Sequence, residues 1–249
     1  MTQVWRTLAI VYPAIDADWR DERRRRQRAI RAMSEAELAA TEDVLARVPG
    51  AVRAWSSGNA ALDPLDVRMA SGPLRRISET GPNRWWAGPR DCRDELDRLA
   101  PAGRYDAVLV VWPAVPGLPL CGWGCTIGPG PDANRAGFPS IVSDGWQRYP
   151  VLPDPEEGFV HEWLHQVESA YRELGVREDV LPPLHDAFMS SCRPDSEPPF
   201  GGTYEEYHRR IETWRPWYED WMTGRVRAAD GRCVGLSPEL WALRTGASR

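Results

Sequence analysis

Between Gly158 and Gly175 the chain reads GFVHEWLHQVESAYRELG, and no other stretch constrains the fold as tightly. Val160, Trp163, Leu164, Val167, Tyr171 and Leu174 recur at i, i+3, i+4, i+7, i+11 and i+14, an apolar stripe that predicts a helix lying on a core. Asp154-Pro155-Glu156-Glu157 reads as an N-cap, a proline at the first helical position and acids in the first turn, and Gly175 as the C-terminal stop. On a wheel of 3.6 residues per turn, His161, His165, Glu168 and Arg172 form a second stripe about 100° from the first, which is expected to face a cleft.

That second stripe begins with His161-Glu162-x-x-His165. Two imidazoles four residues apart on a helix stand on one face, about 5–6 Å apart at Cβ, so both reach a single tetrahedral metal ion. Zinc, one per chain, is the expected cofactor. Glu162 flanks the ion without binding it, and a carboxylate so placed takes a proton from a water that the metal acidifies and later hands it to the leaving group. His185, 20 residues beyond His165, is the preferred third ligand. Asp186 competes for that place but also suits the orienting of an imidazole from behind. Glu168 and Glu173 are weaker candidates, since Glu168 is equally explained by an i, i+4 pair with Arg172.

Composition narrows the alternatives. The chain has no lysine, all 31 basic residues being arginine, which removes Walker-type phosphate loops and Schiff-base or pyridoxal-phosphate chemistry. A net charge of −5 gives no general attraction to nucleic acid or anionic membranes, and neither is an expected partner. The cluster Arg23, Arg24, Arg25, Arg26, Arg28 and Arg31 reads as a solvated helix face paired with Asp18, Asp21 and Glu22. No stretch approaches a membrane span, and Leu8 to Tyr12, ended by Pro13, is too short for a secretory leader. Five cysteines, an odd count without a framework, fit a reducing cytoplasm better than a disulfide scaffold; Cys121 and Cys125 read as thiols in a loop.

With 249 residues, one domain over 1–249 is expected, as a sheet-containing lobe over 1–150 and the metal helix with a helical part over 151–249. Strands are predicted at Thr7 to Tyr12, Ala51 to Trp55, Leu65 to Met69, Tyr105 to Trp112 and Phe138 to Ser143. A helical region is predicted from Asp18 to Val48, broken near Ser34, which caps a second helix with Glu37 three residues on. A short helix is predicted over Pro89 to Leu99. Pro113 to Gly137 is a long glycine- and proline-rich loop of the kind that usually carries function, and Phe138 to Ser143 is a candidate cleft edge for an extended substrate. Trp214, Trp217, Tyr218 and Trp221 fall on one helix face and read as core. Tyr204 is the candidate oxyanion donor, with Tyr207 and His208 nearby, and the residues after about Gly231 read as a loosely packed tail. The class expected is α+β.

His161-Glu162-Trp163-Leu164-His165 resembles the active-site helix of the zincin metallopeptidases, over about 18 residues. That resemblance implies a mixed twisted sheet under the helix, zinc held by His161 and His165, and Glu162 as general base. Glu168 and Tyr171 stand where the metzincin subgroup has a glycine and a third histidine. The spacing is more similar to the gluzincin arrangement, in which a glutamate on a second helix is the third ligand; here His185 holds that place. The run from the Tyr105 strand through Gly122-Trp123-Gly124, Phe138 to Ile141, the metal helix, Leu184 to Asp186 and Trp217-Tyr218 also resembles a bacterial group of uncharacterised HEWLH-containing peptidases. The leading expectation is therefore a metallopeptidase acting on a peptide or amide bond. A zinc enzyme acting on a small non-peptide substrate, or a binding module in which the aromatic segment recognises a ligand, remain the alternatives, and the oligomeric state is open.

Overall fold

The computed structural model describes residues 2–21, 23–81, 84–116, 136–143, 154–184, 191–193 and 213–247. Its centre is a sheet of four strands in the order β4-β1-β7-β8: β1 (Gln3–Val11), β4 (Ala60–Met69), β7 (Ala107–Trp112) and β8 (Ser140–Val142). All three pairings are parallel, where the resemblance implied a mixed sheet. Parallel neighbours need a crossover connection, and helices α1 (Glu35–Trp55) and α2 (Arg93–Leu99) lie in two of the intervening segments.

Both faces of the sheet are covered, which is why β7 is buried at every position instead of alternating. Ala9, Val11, Leu109 and Val111 face one core with α1 and the helix α3 (Glu157–Glu173). Leu8, Ile10, Val108 and Val110 face a second core with residues of α2, of the hairpin β2 (Ala14–Arg20) and β3 (Arg26–Ala32), and of a second antiparallel pair, β5 (Ser78–Gly81) and β6 (Arg84–Trp86).

That hairpin replaces the first half of the helical region expected from Asp18. Asp18 pairs with Arg26 at 2.6 Å and Asp16 with Arg28 at 2.8 Å, so acids on β2 meet bases on β3. Ile15, Ala17 and Ala29 point to the core between them. Arg26 and Arg28 are exposed and paired with acids, on a strand instead of a helix face, whereas Arg31 is half-buried against Glu37 and the Ala114 carbonyl. Asp21 pairs with Arg25 and Glu79 with Arg24.

The second half of the expectation stands at its start. Ser34 Oγ accepts the Glu37 amide at 3.2 Å and Glu37 Oε2 accepts the Ser34 amide at 2.7 Å, the reciprocal cap of α1. The helix then continues to Trp55, through the stretch expected as a strand from Ala51. Val44, Leu45, Val48, Val52 and Trp55 form one buried stripe, and Pro49 removes only a single intrahelical donor from it.

Past α3 come α4 (Arg215–Met222), the short strands β9 (Val226–Arg227) and β10 (Cys233–Val234), and α5 (Pro238–Ala247). The expected loose tail is therefore packed: Trp241 is fully buried, stacks on Trp163 at 6.3 Å and donates its indole N–H to the Met222 carbonyl. No helix among the described residues is long and apolar enough to cross a membrane.

Cys192 and Cys233 form a disulfide, contrary to the expectation of reduced thiols, while Cys92 is buried and free; Cys121 and Cys125 lie outside the described residues. The pairing was illegible because two cysteines 41 residues apart meet only where Ser191 bridges to Val226 of β9. Closing a loop of that length stabilises by about 2–4 kcal/mol. Chemical unfolding with and without a thiol reductant should differ by that amount, and equal midpoints would show that the bond constrains nothing.

Candidate metal centre

In α3 the positions expected to be apolar are fully buried: Val160, Trp163, Leu164, Val167 and Tyr171. Leu174 is the exception at 43% exposure, because the helix has ended: Gly175 turns at φ +82°, its amide donating to the Arg172 carbonyl and that of Val176 to Tyr171. At the other end the expected cap is not made by Asp154, whose carboxylate instead meets Arg215 at 3.2 Å. The Gln166 side chain of the helix lies over Gly137, where a Cβ would come within 2.5 Å of its Oε1.

Glu157, on the first turn, is buried and turned outward to the next helix. Its Oε1 accepts the Trp214 amide at 2.9 Å, the Arg215 amide at 3.2 Å and the Thr213 hydroxyl, so it caps the N-terminus of α4. Burial raises its carboxyl above the ordinary value despite these donors.

His161 and His165 lie half-buried on the other stripe, as expected. Their Nε2 atoms converge at 3.2 Å, with ring planes 82° apart. Two nitrogens bound to one tetrahedral zinc at 2.0–2.1 Å stand about 3.3 Å from each other, so the pair has the spacing of one edge of a zinc tetrahedron. The two residues therefore fit the ion. In the metal-free chain the same spacing suits one shared proton between the rings.

The opposite nitrogens are also engaged. His161 Nδ1 lies 2.8 Å from the Tyr218 hydroxyl of α4, and His165 Nδ1 faces Glu168 Oε2 at 3.7 Å. Glu168 Oε1 also meets Arg172 at 3.4 Å, and its Oε2 accepts the Leu184 amide at 3.3 Å. Burial alone would raise the Glu168 carboxyl, but His165, the Leu184 amide and Arg172 together hold it below the ordinary value. Glu168 thus meets His165 on its Nδ1 side, away from the approach of the two Nε2 atoms. Glu173 is exposed at the helix end and off this face.

Glu162 is buried at 4% exposure, and that burial pushes its carboxyl well above the ordinary value. A carboxyl so buried holds its proton more readily than an exposed one.

Of the other residues expected to act, His185, Asp186, Tyr204, Tyr207 and His208 lie outside the described residues. Among the described residues no group of three or more His, Cys, Asp or Glu side chains converges as a metal site. The chain leading into His185 is nevertheless anchored beside the imidazole pair. Besides its amide bond to Glu168, Leu184 accepts the Trp217 indole N–H at 2.9 Å; the Pro182 carbonyl accepts that of Trp221 at 2.9 Å, and Arg172 reaches the Leu181 carbonyl at 2.6 Å. The residue that sequence reasoning missed is Tyr218, which was legible only as core because no spacing rule joins positions 57 residues apart. Compared with protein families, curated proteins and solved structures, the chain matches none.

Proposed function

We propose that the protein is a zinc-dependent hydrolase of the zincin type that cleaves a peptide or amide bond, with one zinc per chain held by His161, His165 and His185. The observation that carries this reading is the 3.2 Å approach of two imidazole Nε2 atoms on one helix face, with a buried carboxyl between them in sequence.

When bound, zinc acidifies water and polarises the scissile carbonyl. The protein's own groups supply the rest. Glu162 accepts the proton of the attacking water and returns it to the departing amine, a transfer that its raised proton affinity favours. Glu168 and Tyr218 keep the two rings facing one point. Tyr204 donates a hydrogen bond to the oxyanion that develops on the carbonyl.

Protein purified without added metal should carry one zinc per chain and hydrolyse members of a peptide and amide library. Glu162→Gln should keep its zinc and lose about 10²–10⁴ in turnover. Full activity in that variant would remove Glu162 from the chemistry, and a parent that takes up no zinc would sink the whole reading.

A further inference from the structure

Helices α3 and α4 are joined twice, one turn apart on each. Glu157 of α3 caps α4 at Trp214 and Arg215; four residues on from Glu157 and from Trp214, His161 meets Tyr218. The capping bonds therefore set the register in which the Tyr218 hydroxyl arrives at His161 Nδ1. The ring itself has little freedom: it is 3% exposed and stacked at 6.2 Å against both Trp55 and Trp214. A neutral imidazole carries one donor and one acceptor, and a phenol can accept at its oxygen. A proton on Nδ1 leaves the lone pair on Nε2, which then accepts from His165 Nε2–H at 3.2 Å.

We infer that Tyr218 is a positioning residue for His161: its phenolic oxygen accepts the Nδ1–H and so fixes the tautomer and the ring orientation that present Nε2 to a metal ion. The inference rests on the zinc reading above for its consequence, although the tautomer itself does not. On the adjacent face of α4, Trp217 and Trp221 hold the carbonyls of Leu184 and Pro182, so the same helix also fixes the chain packed beside Glu168.

Tyr218→Phe removes the hydroxyl and keeps the stacked ring. Its zinc affinity, read by competition with a chromophoric chelator, should fall roughly 10–100-fold, the usual effect of losing a partner behind a ligating histidine. Nitrogen NMR of the zinc-free proteins should show His161 protonated at Nδ1 in the parent and as a mixture of tautomers in the variant. Zinc held by Tyr218→Phe as tightly as by the parent, or an unchanged His161 tautomer, would overturn the assignment. A parent that binds no zinc would end the metal reading instead, and the tautomer comparison would still decide for or against Tyr218.

Discussion

Trp163→Ala should lower the free energy of unfolding by about 3–5 kcal/mol, the range for truncating a fully packed large aromatic side chain. Trp163 is completely buried, meets Trp5 edge-on at 5.5 Å and lies flat against Trp241 at 6.3 Å, so it joins α3 to the central strand and to the last helix. No rearrangement of one neighbour can fill that space, because three separate elements line it. A denaturant titration measures the effect, and a loss below about 1 kcal/mol would show that the three elements do not depend on this contact. The variant also serves as a control. Trp163 sits inside the His-Glu-x-x-His segment but points away from both imidazoles, so its activity should fall only to the extent that the folded population falls.

His161→Ala and His165→Ala should each weaken zinc binding by more than the roughly 10–100-fold expected for a partner behind a ligand, because each removes a direct bond to the ion. The effect can be read without a substrate. Free zinc at a hundred times the dissociation constant should stabilise the parent by about 2.7 kcal/mol, and a chelator should abolish that increment. Neither variant should gain it at the same zinc concentration. Equal zinc-dependent shifts in parent and variants would place the binding elsewhere and leave His161 and His165 as an ordinary pair on a helix. Both lie on the half-buried stripe and not on the apolar one, so metal-free His165→Ala should stay close to the parent in stability, while His161→Ala also removes a bond of the buried Tyr218 hydroxyl and should cost about 1–3 kcal/mol.

What could be read from the chain alone was whatever repeats over a few residues. The apolar stripe of α3, its stop at Gly175, the reciprocal cap of Ser34 and Glu37 and the wholly apolar β7 are all local patterns, and each has its expected form. The juxtaposition of His161 and His165 belongs to the same class, because a helix fixes the separation of residues four apart.

Other expectations failed where a local pattern was ambiguous. The arginine run after Asp21 suits a solvated helix or a paired strand equally, and its acids at Asp16 and Asp18 became decisive only across the β2–β3 ladder. Pro49 marks a helix end by propensity, but the burial of Val48, Val52 and Trp55 against the sheet carried α1 past it. The residues after Gly231 carry little periodicity, and Trp241 finds its place only because Trp163 and Tyr171 offer a surface.

The amino-acid sequence by itself determined the helix that bears the two imidazoles, their common face, and the acidic neighbour beside them, since a helix is specified by residues within a few positions of one another. Only the tertiary structure decided that all four central strands run parallel, that Cys192 meets Cys233, that burial raises the proton affinity of Glu162, and that Tyr218 and Glu168 stand behind the two rings. Most of these depend on contacts between residues far apart in the chain, and the rest on how surrounding elements pack over the helix; neither leaves a periodic trace in the sequence.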